Sequence, residues 1–295
     1  MSTFQHIAIA LENNSVTAVE IERDKTIRIL TFGQYNSKIN FDDLDSIFSQ
    51  KDLMFEELKN FLISINSVAP NISFALNSHS VFLSTIPIDS NLKETEIQSV
   101  IQWELNHNLL NSTSTDYLIS SHQLPSQTNV ATHNYLLVGI KKSLIKFLDD
   151  IAVKLKKKMN IIEIDHFGAE HFLSSTNNKL NQKVSLIGAD ELSFDISILN
   201  NKICEAFSIF SISNPLCYEQ ITKFIIEAGV KQIFVHGRFA NSVLTSPLKN
   251  LLNSPIIILN PFSSFELSKS SKNKNGTQNN PAQFISTAGI AIRIE

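Results

Sequence analysis

The sequence predicts a duplicated α/β fold, two similar halves with an α+β unit inserted between them. Three observations predict it. A pattern of three short alternating runs over residues 4–32 returns over 184–210, about 177 residues later. Residues of about 70–160 change character and hold their own strands and helices. From 215 onward helix alternates with strand, the pattern of helices layered on a sheet.

In the first run Ile7, Ile9 and Leu11 alternate with smaller residues, and Glu12-Asn13-Asn14 marks a turn. Thr17, Val19 and Ile21 alternate again, Arg23-Asp24-Lys25 turns, and Ile27 to Leu30 follow. Period-two alternation broken twice by polar turns reads as an antiparallel meander. Residues 52–68 read as a helix from the stripe Leu53, Leu58, Phe61, Leu62 and Ile65, with Pro70 soon after. Strands are predicted over 72–76 and 81–86, the second ended by Pro87, and a helix over 92–109 with Ile97, Ile101, Leu105 and Leu109 in register. Strands over 117–122 and 135–140 flank the polar loop 125–134, and an amphipathic helix is predicted over 143–159.

A strand over 161–164 and a helix from Phe167 lead to the second meander, with strands over 184–188, 193–199 and 203–210. Pro215 suits a first helical position and Gly229 the residue past a helix end. A strand over 231–236, a helix over 240–252 and a strand over 255–259 complete the alternation. Residues 263–280 read as a polar flexible loop, and 281–294 as a returning apolar segment.

Composition narrows the function classes. With 295 residues, 43% apolar content and a formal net charge of -3, the chain is long enough for a sizeable core and lacks an electrostatic case for nucleic acid. The two cysteines, Cys204 and Cys217, fit neither a disulfide framework nor a metal site, and are expected to be buried free thiols. No signal peptide and no membrane span are expected. Only eight glycines are present, and none lies in the first meander's turn. Nucleotide sites use glycine because a residue without Cβ lets backbone N–H groups close around phosphate.

The series IAIALENNSVTAVEI (7–21), ISFALNSHSVFLSTIP (72–87), LKETEIQSVIQWELNHNL (92–109), then 116–120, 136–144, 162–169, 186–199 and LNPF (259–262), resembles the PilM family. These are actin-like cytoplasmic proteins of type IV pilus assembly; the FtsA cell-division family is a more distant likeness. The resemblance covers nearly the whole chain and rests on the ordered series, not on one motif. It implies an actin/Hsp70-like, ribonuclease H-like duplicated fold with an FtsA-type α+β subdomain. On this reading residues 1–69, completed by about 161–183 and 281–295, form the first half; 70–160 are the insertion and 184–280 the second half.

The family's nucleotide machinery is where the chain departs. Both phosphate loops of the family read Asp-x-Gly; here they are Ala10-Leu11-Glu12 and Leu186-Ile187-Gly188. The family's lysine after the first loop is Thr17, and its glycine run is Gly237-Arg238-Phe239. Hydrolysis of this type needs carboxylates around Mg²⁺ and close N–H donors. Ala10 and Leu186 cannot ligate a metal, and Glu12 brings a negative charge to the phosphate position, a cost on the order of a few kcal/mol. Asp195 alternates with apolar residues and is expected on a solvated face. The chain is therefore expected to be a pseudo-ATPase without catalytic residues, cofactor or metal. Binding of ATP with Mg²⁺ is the alternative, and any ligand in the vestigial cleft is expected against Asn13, Asn14, Ser15, Gly188 and Gly237.

The remaining candidates are weaker. His166 and His171 are five apart, not the i, i+4 pair of a zinc helix, and are expected to be structural or surface residues. Ser15, Ser185 and Ser193 lack the setting of a nucleophile elbow. Lys154, Lys156, Lys157 and Lys158 read as a solvated helix end, with attraction to anionic lipid as the alternative. Trp103 points away from its helix's apolar stripe, which suits either packing under a loop or an interface anchor.

The expected function is a non-catalytic scaffold of a type IV pilus or related secretion-type platform. The resemblance implies that a cytoplasmic tail of an inner-membrane partner, PilN-like, docks between the first subdomain and the insertion. Trp103, Tyr117 and Ile119 are the expected partner-binding residues. This places the chain in the cytoplasm, peripheral to the inner membrane through its partner, and leaves a homo-oligomer open. A working ATPase and an FtsA-like membrane-linked filament protein are the alternatives; the ending Ile292-Arg293-Ile294-Glu295 offers no amphipathic helix for the latter.

Overall fold

The computed structural model describes residues 4–109, 113–125, 131–177, 182–241, 245–252, 254–268 and 280–293. Strands β1 (Phe4–Glu12), β2 (Ser15–Arg23) and β3 (Ile27–Asn36) form the first meander. Asn13 makes its tight turn at φ +48°, a conformation asparagine tolerates better than most residues. Helices α1 (Leu44–Ser49) and α2 (Lys51–Ser64) follow, and β4 (Asn71–Leu76) then runs parallel to β1 in full register, Ile7 beside Ile72 and Leu11 beside Leu76.

This pairing corrects the predicted start of the insertion at residue 70. Strand β4 is a central strand of the first half, and its other edge pairs with β8 (Lys158–Ile164). Only β5 (Phe82–Asp89), α3 (Glu94–Asn108), β6 (Tyr117–Gln123) and β7 (Thr132–Lys141) form the separate sheet, in the order β5-β7-β6 with α3 on one face. Helix α4 (Lys142–Lys154) buries Leu144, Leu148 and Ile151 in the core of the first half, together with Ile7, Ile9 and Phe74. The inserted unit thus spans about residues 77–141.

Helix α5 (Asp165–Thr176) leads into the second meander, β9 (Val184–Ala189), β10 (Ser193–Asn200) and β11 (Ile203–Ser211). Then come α6 (Cys217–Glu227), β12 (Gln232–His236), α7 (Ser246–Leu251), β13 (Ile256–Ile258), the two-residue β14 (Glu266–Leu267) and α8 (Ile285–Ile292). The two large sheets have the orders β14-β3-β2-β1-β4-β8 and β11-β10-β9-β12-β13. In each, an antiparallel meander continues into two parallel strands, so the duplication read from the meanders extends through both halves. Between the sheets lie α5 and α8, packed on Ala8, Ala10 and Ala75 from one half and Val184, Leu186 and Phe234 from the other. Small residues on β1 and β4 make room for helices here. The helices themselves cross closely: a Cβ added at Gly289 would stand 1.8 Å from the Gly168 carbonyl oxygen.

Several predicted boundaries move for identifiable reasons. Helix α2 ends at Ser64, not Val68, because Asn66 turns left-handed (φ +56°) and the Ser67 N–H donates back to Leu62 O. The helix predicted to reach Met159 stops the same way at Lys156 (φ +57°), with Lys157 N–H donating to Ala152 O. Gly229 ends α6 by this motif, as expected (φ +69°). The lysine run is therefore a helix end, a turn and the start of β8. Strand β5 runs through Pro87, which an edge strand tolerates. Pro215 precedes α6 in a turn where Asn214 Oδ1 accepts from Leu216 N–H (3.0 Å), so it is not the first helical residue. Of the helix predicted over 240–252, only Ser246–Leu251 is helical, and 242–244 lie outside the described residues. So do 126–130 of the predicted loop, 269–279 of the polar segment, and the final two residues.

Candidate functional site

The turns that would hold a nucleotide meet between the two halves. The first, at Asn13-Asn14, is covered by residues 37–42. Asn13 N–H donates to Asp42 Oδ1 (3.1 Å), and its carbonyl accepts from Phe41 N–H (2.7 Å). The Asn14 carbonyl accepts from Ser37 N–H (2.8 Å), and its amide donates to Ile39 O (2.9 Å). In the second turn Asp190 N–H donates to Ser193 O (3.1 Å) and Glu191 N–H to Asp190 Oδ1 (2.6 Å). In the third, Gly237 N–H donates to Ala282 O (3.0 Å) and Phe239 N–H to Ala189 O (3.2 Å). Backbone N–H groups in all three turns thus have acceptors within the chain.

The two glycines of the cleft are also spoken for. Gly188 leaves space for imidazole rings: a Cβ there would stand 2.9 Å from His236 Nε2 and 3.0 Å from His166 Nδ1. Gly237, at φ +99°, lets its backbone pass Ala189, whose oxygen a Cβ would meet at 2.6 Å. His166 and His236 are buried and bonded to each other (3.2 Å), and His166 Nε2 bonds to Ser197 Oγ (2.9 Å). What remains is a cavity of about 10 Å³ lined by Glu12, Asn77, Asp165, Asp190, Asp195 and neighbours. That is room for about one water.

Carboxylates crowd this space. Burial, reinforced by Asp190 and Asp42, pushes Glu12 up from 4.5 to about 8. Burial raises Asp165 well above the carboxylate range and Asp195 to about 6. Asp195 is buried, contrary to its expected solvated face, because β10 is a central strand covered on both sides. Among the described residues no group of three His, Cys, Asp or Glu side chains converges as a metal site. Instead the polar groups tie the second half to the first half and to the start of the inserted unit. Asn13 Nδ2 donates to Glu191 Oε2 (2.8 Å), Asn77 Nδ2 donates to Asp190 Oδ2 (2.7 Å), and His79 Nε2 lies 3.1 Å from Ser193 Oγ. Of the predicted cleft residues, Asn13, Gly188 and Gly237 meet here. Asn14 and the buried Ser15 serve the first half.

The predicted partner residues separate. Trp103 is 62% exposed and stacks on His107 at 5.3 Å, off the core stripe as expected. Its helix covers the face of the inserted sheet formed by Ile86, Leu137 and Ile119. Strand alternation puts Tyr117 and Ile119 on that face and Leu118 and Ser120 on the other. The opposite face, with Leu118, Leu136 and Val138, lines a groove of about 590 Å³. The structure does not bring Trp103, Tyr117 or Ile119 to this groove, which Leu118 and Ser120 line instead.

Two strand edges that have no neighbouring strand among the described residues bound the groove: β6 of the inserted sheet and β8 of the first large sheet. Phe167 and Glu170 of α5 line it from within, and Lys202 and Ile203 of the β10–β11 turn close its far side. That turn has Asn201 and Lys202 both at positive φ (49° and 70°), the two-residue form that matches strand twist. Along β8 the groove passes into a second hollow of about 610 Å³, lined by Phe4, Asn71 and residues 158–163; Glu163, paired with Arg293, borders both. Alternate β8 residues and an unpaired backbone edge are what an extended peptide uses when it adds to a sheet. The sequence predicts the strands over 117–122 and 161–164 but not that their edges face one groove.

No family model and no curated protein matches the chain. Among solved structures, a chain of the PilM-PilN type IV pilus biogenesis complex superposes with a TM-score of 0.71 over 98% of both chains, at 11% identity. A Bacteroides thetaiotaomicron protein of actin-like ATPase fold and unknown function gives a TM-score of 0.49 at 13% identity, over 89% of this chain and 92% of that one. The cytoplasmic domain of EpsL, an inner-membrane component of the type II secretion system of Vibrio cholerae, gives 0.49 at 7% identity, over 100% and 97%. Among the described residues no helix is long and apolar enough to cross a membrane. With its two matching sheets, its helices α5 and α8 between them and its inserted sheet, the chain has the actin-like ATPase fold in the form seen in the PilM-PilN complex.

Proposed function

We propose that this chain is a non-catalytic scaffold of a type IV pilus or related secretion-type assembly platform, and that it holds an extended cytoplasmic segment of an inner-membrane partner. The observation that carries the reading is the groove between the free edges of β6 and β8, apolar along Leu118, Leu136, Val138 and Ile162. A segment added there gains main-chain hydrogen bonds from an edge and side-chain burial from the groove. Its likeness to a chain of a complex named for PilM and PilN supports the choice of partner class. The cleft supports the absence of catalysis: its donors are engaged, its carboxyls are raised, and its room is about that of one water. The chain then works on the cytoplasmic side, held near the membrane by what it binds.

The test is calorimetric titration with a peptide from the cytoplasmic end of a single-span pilus assembly protein, against the wild-type chain and Leu118→Arg. Leu118 is 59% exposed, so the change leaves the fold intact. Saturable binding to wild type and at least about tenfold weaker binding to the variant are expected, because a guanidinium in an apolar groove must be desolvated. Equal binding by both proteins removes the groove from the mechanism.

A further inference from the structure

One carboxylate on the groove floor is left without a cation by the fold. Glu170 lies on α5, facing the groove beside Phe167, Cys204 and Ile203. Its Oε1 is sealed from solvent and has no hydrogen-bond partner. The nearest basic group is His166 Nε2 at 3.8 Å, but burial and the neighbouring His236 hold that ring well below its ordinary pKa, so it is neutral. The other charged or titratable groups of the groove are Glu163 with Arg293, already paired to each other, His122 on β6 and Lys202 on the turn. Only Ser197 and Cys204 offer Glu170 hydrogen bonds, and no cation acts on it. An acidic group kept in an apolar groove without a counter-ion is costly unless something completes it.

We propose that Glu170 sets the specificity of the groove, accepting an inward-pointing arginine or lysine side chain from the docked segment. This rests on the reading of the groove as a peptide-docking site. The occupant is thus an extended, mainly apolar segment with one basic side chain directed at α5. Cytoplasmic stretches next to membrane spans are rich in such residues. The ammonium or guanidinium meets the carboxylate from the groove side and supplies the missing charge, and the alkyl stem lies along Leu136 and Phe167.

A proton linkage follows. Burial pushes Glu170 up from 4.5 to about 7, so near neutrality the free chain holds a mixture of acid and carboxylate. A bound cation favours the carboxylate and releases the proton. Affinity for a basic segment therefore rises with pH up to about 7 and levels off above it.

The experiment is selection of displayed random twelve-residue peptides on the wild-type chain, on Glu170→Gln and on Leu118→Arg, with affinities of the enriched peptides measured between pH 6 and pH 8. Expected are apolar peptides sharing one Arg or Lys at a fixed position, a loss of about tenfold or more on Glu170→Gln, and a rise of affinity with pH that the variant lacks. Peptides that bind wild type, fail on Leu118→Arg, and show neither a basic position nor sensitivity to Glu170→Gln overturn the inference and leave the groove standing. Peptides indifferent to Leu118→Arg overturn both.

Discussion

Replacing Glu12 with glutamine removes the charge at the centre of the cleft while keeping its shape. Glu12 is 7% exposed and its carboxyl is raised from 4.5 to about 8, first by burial and then by Asp190 and Asp42. A carboxyl with a raised folded pKa binds its proton more tightly in the folded chain than in the unfolded one. Its contribution to stability is fully present below the unfolded value of 4.5 and is lost as pH rises through about 8. At about 1.4 kcal/mol per unit the full shift sets a ceiling near 5 kcal/mol. Part of that belongs to Asp190, Asp42 and Asp195, which share the same field, so a working figure is about 2 kcal/mol. Urea unfolding followed by circular dichroism at several pH values reads this directly. Glu12→Gln should match wild type near pH 4, below the unfolded value, and exceed it by about 2 kcal/mol near pH 9. Parallel pH profiles for the two proteins would refute a buried, protonated Glu12.

Gly289→Ala should destabilise the chain by about 3 kcal/mol or more, or prevent folding, because the added Cβ would stand 1.8 Å from the Gly168 carbonyl oxygen where α5 and α8 cross; thermal unfolding reads it. Trp103→Ala should change stability by no more than about 0.5 kcal/mol, since the ring is 62% exposed, and should leave peptide binding at the groove unaltered. A loss of affinity in that variant would show that α3 shares the docking surface.

The meanders were legible because period-two alternation and the polar turns at Asn13-Asn14 and Asn200-Asn201 are local signals. The allegiance of β4 was not: ISFAL reads as a strand whichever sheet it joins, and only its pairing with β1 decides. Asp195 misled because alternation on a strand buried on both faces carries no information about solvent. The glycine shortage was legible, but not what the two cleft glycines do: Gly188 leaves room for imidazoles and Gly237 for the Ala189 backbone. The carboxyl cluster was hidden, since Glu12, Asp42, Asp165 and Asp190 come together only when the halves close. On β6 the sequence singled out Tyr117 and Ile119, and the structure turns Ile119 against Ile97 and Leu137 while Leu118 faces the groove proposed for docking.

Hydrogen exchange on the whole chain, with and without millimolar Mg-ATP and with and without the partner segment, tests the central claim most directly. The segment should protect β8 (Lys158–Ile164) and β6 (Tyr117–Gln123), where free edges become paired, and Mg-ATP should leave residues 10–15, 186–191 and 236–240 unchanged. Protection of those three turns by nucleotide, with no protection of the two edges by the segment, would contradict it.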